Sequence, residues 1–378
     1  MRKITFFLVL SFQFIQLCVN QELPKYSLTD VPLVVDIDSV EYIPLKTGYV
    51  RYLPLETNRD CLIGFADKVL IRNNRIYVAD FSSRTMALFV FDMTGKFLFK
   101  IARVGKGPGE YTSFRDFDIQ TNGDIYMFDH FGKKFLIFDA AGKYLEELRV
   151  DYSFSYFTLA KDKMYWSRLS EYGKMYANLA VYHIPGKKTE FLLNNKINLN
   201  DNKLSLDFTS YGFYSSPNGM VYYSPRFSEI IYSIDHNGVH PAIGIKNLQI
   251  PPEHVIKEWV EKKYEFAINS DERYFKENVH IYETDRYTAF KCINKKTIES
   301  ITILYHKQSE SFYAIPNFFY GMDLGIDNIR GSIGEYFFGM VRLNPDYKEH
   351  RKILETREEL TNWKEEDNPV IVIFDIEI

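Results

Sequence analysis

Three groups of residues have types and spacing that could do chemistry. Gly105, Gly107 and Gly109, with Lys106 and Pro108 between them, could in principle cradle a phosphate. A Walker loop, however, needs a longer gap between its glycines and a Lys-Ser/Thr pair opening a helix. A dinucleotide loop needs Gly-x-Gly-x-x-Gly. Here Gly-x-Gly-x-Gly lies between two extended runs and Pro108 removes a backbone donor, so the glycines are expected to reverse a connector. Asp118, Gln120, Asn122, Gly123 and Asp129 imitate the start of a calcium loop. Such a loop wants oxygen ligands at its first positions and a bidentate Glu at its end. Gln120 is an unusual ligand, Asp129 falls short of Glu, and strand alternation already accounts for the positions.

The eight histidines form no His-Glu-x-x-His helix. His236 and His240 are four apart, but they flank Gly238 and do not share a helical face. No Gly-x-Ser-x-Gly elbow occurs. No catalytic residue, metal ligand or cofactor is assigned. What remains is a set of polar residues placed where loops should be, and loops on a rigid scaffold carry function. Arg103, Lys106, Glu110 and Tyr111 lie in the glycine connector, and Arg115 and Asp116 follow where the next strand begins. Asp80 with Arg84, and Asp129 with Lys133, occupy equivalent places further along the repeat described next. The competing reading for each is a charge that caps a turn or pairs with a neighbour.

The elements that position these residues recur. Asn74-Arg75-Ile76-Tyr77-Val78-Ala79-Asp80 matches Gly123-Asp124-Ile125-Tyr126-Met127-Phe128-Asp129, with 49 residues from Asp80 to Asp129. Phe91-Asp92-Met93-Thr94-Gly95-Lys96 matches Phe138-Asp139-Ala140-Ala141-Gly142-Lys143, with 47 residues from Gly95 to Gly142. Each Gly-Lys falls where a tight hairpin needs a residue tolerant of positive φ. The second copy divides into four strands, 115–120, 124–129, 135–139 and 144–150, with a turn at Asn122-Gly123. Four antiparallel strands on short turns, repeated at this spacing, are a propeller blade. The Tyr and Phe content, 28 and 31 residues, suits such pleated, half-buried surfaces.

Blades are therefore expected over 62–103 and 113–150, then over about 155–193, 210–246 and 278–315. The last is assembled from Gly334 to Arg342, the β-branched run Pro369 to Phe374, and Tyr49 to Leu55 from the other end of the chain. Closing the ring with both termini leaves no exposed edge. Two interruptions read as helical insertions. One lies near 248–278, where Pro251-Pro252 precede an amphipathic run; the other is the charged stretch near 344–368. With those set aside, six blades of about 47 residues account for 38–378. The fold class is all-β, a six-bladed β-propeller of four-stranded antiparallel blades.

Val104-Gly105-Lys106-Gly107-Pro108-Gly109-Glu110-Tyr111, followed by the Asn-Gly-Asp-Ile-Tyr strand, resembles the NHL-like propellers. With Tyr52-Leu53-Pro54-Leu55-Glu56-Thr57 and Asn368-Pro369-Val370-Ile371-Val372, the chain is similar to the exported six-bladed propellers abundant in anaerobic Gram-negative bacteria. The resemblance spans nearly all of the chain after residue 20 and implies a fold and an envelope location, while that family's molecular activity is largely undefined.

The N-terminus agrees. Arg2 and Lys3 precede an apolar run from Ile4 to Val19 that Ser11, Gln13 and Gln16 interrupt, which reads as a cleaved secretion signal over 1–20. Residues 21–37 form a lead-in. Cys18 offers a lipid-anchored alternative, although Leu17 before it is larger than lipoprotein processing prefers. Cleavage moves the net charge from −4 to −6. A mildly acidic chain without basic runs argues against nucleic acid and against adhesion to anionic lipid. Cys61 and Cys292 are too few for a disulfide framework and are expected as buried thiols. No transmembrane span is expected in the processed chain, and a monomer is expected. The leading functional expectation is a non-enzymatic periplasmic or envelope protein that binds a protein, peptide or glycan through one loop face. The alternative is a lactonase- or lyase-like enzyme with a metal on the axis, because a propeller can gather single residues from separate blades.

Overall fold

The computed structural model describes residues 26–151, 154, 156–171, 174–193, 212–216, 220–225, 228–235, 237–252, 254–255, 279–293, 300–316, 324–326 and 329–378. The expected signal segment, the Cys18 anchor and nearly all of the first helical insertion lie outside these residues. The described chain forms six small sheets. Blade 1 contains β4 (Lys68–Arg72), β5 (Arg75–Asp80), β6 (Ala87–Asp92) and β7 (Phe97–Ile101). Blade 2 contains β8 (Phe114–Ile119), β9 (Ile125–Asp129), β10 (Lys134–Phe138) and β11 (Tyr144–Arg149). Blade 3 follows with β12 (Tyr156–Ala160), β13 (Lys163–Glu171), β14 (Lys174–His183) and β15 (Lys188–Leu193).

Blade 4 is β16 (Phe213–Ser215), β17 (Val221–Tyr223), β18 (Ile230–Asp235) and β19 (Gly238–Lys246). Blade 5 is β20 (Ile281–Glu283), β21 (Tyr287–Ile293), β22 (Ser300–His306) and β23 (Ser311–Pro316). Blade 6 takes β24 (Ile329–Ile333), β25 (Tyr336–Val341) and β26 (Val370–Phe374), and β3 (Val50–Pro54) closes it from the N-terminal side. The first strands of the blades touch in the cycle β4, β8, β12, β16, β20, β24 and back to β4. The ring is closed, as the pattern of repeats predicted.

The middle strands of the blades alternate not between core and solvent but between two cores. Ile76 and Val78 on β5 pack towards blade 6, whereas Tyr77 and Ala79 pack towards blade 2. Every residue of β9, β10 and β26 is consequently buried. Six hydrophobic clusters result, one for each interface between adjacent blades.

Two blades are larger than four strands. β1 (Leu33–Asp36), from the segment read as a lead-in, pairs parallel with β19 on the outer edge of blade 4. β2 (Glu41–Tyr42) does the same with β23 on blade 5. These additions cover edges that would otherwise offer unpaired backbone groups. The charged stretch near 344–368 contains a helix, α1 (Lys348–Thr356), which buries Ile353 in the cluster between blades 5 and 6. The hairpin glycines behave as the turn chemistry requires. Gly95 and Gly142 have φ of +85° and +79°, and a Cβ at Gly95 would collide with the Pro54 carbonyl.

Candidate functional site

One polar residue or more from every blade meets near the C-terminal ends of the inner strands. Thr158 of blade 3 donates its hydroxyl to Asp118 of blade 2 at 2.9 Å and lies 2.7 Å from the Ser215 hydroxyl of blade 4. The Tyr214 hydroxyl of blade 4 donates to the Ser332 hydroxyl of blade 6 and lies 3.0 Å from the Glu283 carbonyl of blade 5. Ser332 in turn donates to the same carbonyl at 2.5 Å. Arg72 of blade 1 reaches across the axis and donates to the Ser215 carbonyl at 2.7 Å. These bonds form a belt, with Arg72 as its strut.

Above the belt lies a cavity of about 720 Å³. The belt residues Arg72, Asp118, Thr158, Tyr214, Ser215 and Ser332 form its floor. Its walls include Gly64 to Asp67 and Val279-His280, which lead into inner strands, so it extends towards the face where connectors enter the blades. We call this space the cup.

Among the described residues, positive side chains outnumber negative ones around it. Lys68, Arg72, Lys291, Arg330 and Arg342 line the cup, against the carboxylates of Asp67 and Asp118. Lys68 is neutralised locally, 2.7 Å from the buried carboxylate of Asp116. Burial pushes the Asp116 carboxyl up, while the Lys68 ammonium opposes that shift. Arg72 and Arg342 donate instead to backbone carbonyls, of Ile71 and Ser215 and of Ile63 and Asp367. A carbonyl satisfies a guanidinium N–H without cancelling its charge. Lys291 and Arg330 both face His280 closely enough to disfavour its protonation. Burial first, and those two cations second, push the His280 imidazole down to about 4. Its Nδ1 lies 3.3 Å from the Tyr282 hydroxyl. Burial raises the Asp67 carboxyl, with Asp80 adding to the shift and Arg330 opposing it. Burial, together with the nearby Glu283 carboxylate, raises the Tyr222 hydroxyl. Among the described residues, no three His, Cys, Asp or Glu side chains come together as a metal-holding group.

The loop residues singled out from the sequence divide into two sets. Asp80, Asp129, Tyr111 and Asp116 are buried. Asp80 accepts from the backbone N–H groups of Gly64, Phe65 and Ser82 at 3.0 Å each. Asp129 repeats this one blade later, accepting from Thr112, Ser113 and Gly132 at 3.0–3.1 Å. Each clamps the incoming connector to its own blade, which is the turn-capping reading. Tyr111 donates to the Met86 carbonyl at 2.5 Å, and burial pushes its hydroxyl up to about 12. Glu110, half-buried, accepts from Gly107 N–H at 2.7 Å, so the glycine connector is closed by its own carboxylate. Arg84, Arg103, Lys106, Arg115 and Lys133 are exposed. They sit in or beside the connectors and loops on the face to which the cup extends.

The calcium-like residues do not converge. Asp118 is in the belt, Gln120 donates to the Lys161 carbonyl at 2.6 Å, and Asn122 caps the turn at Asp124. Sequence reasoning missed Arg72, His280, Tyr282, Lys291 and Arg330. These come from blades 1, 5 and 6, and no short-range spacing joins them.

The family model described as a domain of unknown function, DUF4934, matches residues 47–375. The chain belongs to the DUF4934 family. No curated protein sequence matches it. Among solved structures, this DUF4934 chain is similar to a Bacteroides fragilis protein named as exported. The pair share 19% identity at a TM-score of 0.72, covering 92% of this chain and 99% of that one. A member of the DUF4221 family from Bacteroides vulgatus matches at 8% identity and a TM-score of 0.53, covering 88% and 97%. Virginiamycin B lyase from Staphylococcus aureus matches at 8% identity and a TM-score of 0.41, covering 86% and 99%, a likeness too slight to carry an argument about chemistry. The first two matches extend the propeller architecture to these proteins and speak to fold alone. No helix among the described residues is long and apolar enough to cross a membrane.

Proposed function

We propose that this DUF4934 propeller is an exported, non-enzymatic binding protein of the periplasm or envelope that takes its ligand through the connector face, into the cup. The observation that carries this reading is the asymmetry of the axis. One end is occupied by the belt, and the other holds a cavity of about 720 Å³, inside the range of about 300–1,000 Å³ typical of small-molecule sites. The cup is walled by aromatic rings and a few convergent polar groups, the composition such sites favour. Export is supported by the leading apolar run after Arg2 and Lys3, and by the exported designation of the Bacteroides fragilis relative. The exposed cations Arg84, Arg103, Lys106, Arg115 and Lys133 stand on the same face, where they would orient an incoming partner.

A thermal-shift screen of acidic and neutral oligosaccharides and short peptides tests the binding reading, with mass spectrometry of each hit after prolonged incubation. The expected result is stabilisation by at least one compound, recovered unchanged. A screen in which nothing stabilises the protein contradicts it. Conversion of a hit into a cleaved or opened product would establish lactonase- or lyase-like chemistry instead.

A further inference from the structure

We propose that the connector-face loops of blades 1 and 2 form a docking surface for an acidic protein segment that carries apolar side chains. This rests on the connector-face reading above and names the chemistry of the partner.

Among the described residues, the five most exposed large apolar side chains are Leu62, Phe65, Val104, Phe131 and Tyr347. All five lie in connectors between blades or in loops from a second to a third strand, which the topology puts on one face of the ring. Leu98 and Leu145, on outer strands, are exposed less. Apolar residues scattered singly need no explanation, but a set held to one face and rimmed by polar groups marks an interaction surface. Phe65 also lines the cup, so the surface is continuous with its mouth.

The repeat shows that the fold does not need the two exposed phenylalanines. Asp80 clamps the Phe65 N–H at 3.0 Å, and Asp129 clamps the Ser113 N–H at 3.0 Å in the equivalent place of blade 2. Phe131 stands two residues after Asp129, as Ser82 does after Asp80. A serine serves in each sister position, so rings 65% and 73% exposed add nothing that the clamps require. The clamps do fix the backbone beneath them, Asp80 at Gly64 and Phe65 and Asp129 at Gly132, next to Phe131. The two loops are tied across the blade interface. Phe81 packs edge-on against Phe114 at 4.8 Å, and His130 N–H donates to the Ser113 carbonyl at 3.0 Å. Rings presented on fixed loops lose little freedom on binding, and aromatic anchors carry much of the energy of an interface.

The neighbouring charges set the sign of the partner. Among the described residues, Arg59, Arg84, Lys106 and Arg115 are exposed in these loops or at the start of β8 and belong to no ion pair. The carboxylates of Glu56, Asp67 and Glu110 turn onto the backbone N–H groups of Phe97, Phe81 and Gly107 at 2.7–2.9 Å. The outward cations therefore favour carboxylates on the partner. The chain as a whole, at −4, disfavours nucleic acid and anionic lipid, whereas a protein segment can meet exposed rings with apolar side chains and arginines with carboxylates.

Selection of short random peptides displayed on phage against the immobilised protein tests the assignment. Recovered peptides are expected to be rich in Asp and Glu and to carry Phe, Trp or Leu. Synthesised and followed by fluorescence anisotropy, they are expected to bind about tenfold or more weakly to Phe131→Ser, and likewise to the triple variant Arg84→Ser, Lys106→Ser, Arg115→Ser. An unchanged urea midpoint verifies that these surface variants fold. Raised salt is expected to slow association with the wild type, a readout that stands even if a variant fails to fold. Peptides without acidic bias, binding that neither variant weakens, or association indifferent to salt would overturn the proposal. Retention on phosphatidylglycerol vesicles tighter than on any peptide would overturn it in favour of a membrane. A blank selection would overturn it too. If the thermal-shift screen nonetheless finds a compound, the binding cup stands; if both are blank, the connector-face reading falls as well.

Discussion

The two ends of the propeller axis use polar side chains in opposite ways. At the belt, Asp118, Thr158, Tyr214, Ser215 and Ser332 satisfy one another or the backbone. Asp118 alone accepts from Ile119 N–H at 2.8 Å, Thr158 Oγ1 at 2.9 Å and Leu159 N–H at 2.8 Å, and so joins blades 2 and 3. In the cup, Lys291, Arg330 and His280 crowd like charges and a suppressed imidazole onto one wall. The bonds of the belt tie neighbouring blades together. Groups arranged against their own electrostatic preference are the ones a ligand can relieve, and such residues gather at functional sites.

If this division is right, damage to the belt should cost stability and damage to the wall should cost binding. Asp118→Ala leaves three buried donors without their acceptor and is expected to destabilise the fold by about 3 kcal/mol, measured by urea denaturation. Lys291→Met should cost clearly less than Asp118→Ala in the same assay. Equal losses would erase the distinction between the two ends.

The pH profile sharpens the same contrast. An imidazole held at about 4 in the fold, against an ordinary 6.5, binds its proton more weakly folded than unfolded. Its contribution is whole above about pH 6.5 and is lost as pH falls towards 4, by at most about 3 kcal/mol. Among the described residues, the groups facing the ring are Lys291, Arg330 and the Tyr282 hydroxyl. Asp67, raised by burial, works in the opposite sense, so the comparison that isolates the ring is wild type against His280→Gln. The variant is expected to lose less stability across that window. Identical profiles would show that the wall does not disfavour the charged ring.

Thr158→Val keeps the shape of the belt and removes one donor to Asp118, for an expected loss of about 1–2 kcal/mol in urea denaturation. The smallest effect concerns the thiols. Cys61 and Cys292 are fully buried, and burial raises both, Cys292 to about 12. A maleimide should therefore label neither in the native protein and both in denaturant. Fast native labelling of Cys292 would show that the core between blades 4 and 5 opens.

Legibility in the sequence followed the range of the interactions. Blades 1 and 2 could be read strand by strand because their hairpins are local. Asp92 and Asp139 each accept from backbone N–H groups two and four residues on, and Gly95 and Gly142 supply the positive φ. The closing blade was legible because a β-branched terminal run needs a partner, and its register with β3 runs from Val370↔Pro54 to Phe374↔Val50. The two end segments that carry the family resemblance also meet there. Asn368 donates to the carbonyls of Glu56 and Cys61 at 2.7 Å and accepts from Ile63 N–H at 2.8 Å. β1 was not legible as a strand of blade 4, because a parallel pairing of Leu33 with Ile243 leaves no local turn signal. Nor was the cup. Its residues are single positions on or beside inner strands, with Lys291 on the second strand of blade 5, where the repeat pattern records burial and turns but not which side chains meet in one cavity. The repeated aspartates drew attention for the opposite reason: Asp80 and Asp129 recur because the connectors into blades 1 and 2 use the same clamp.

The most direct test of the central claim is a crystal structure of the protein soaked with the compound that stabilises it most in the thermal-shift screen. Density is expected inside the cup, on the connector side of the belt. A compound bound at the belt end, or on the outer loops with the cup empty, would contradict the assignment of the axis to binding.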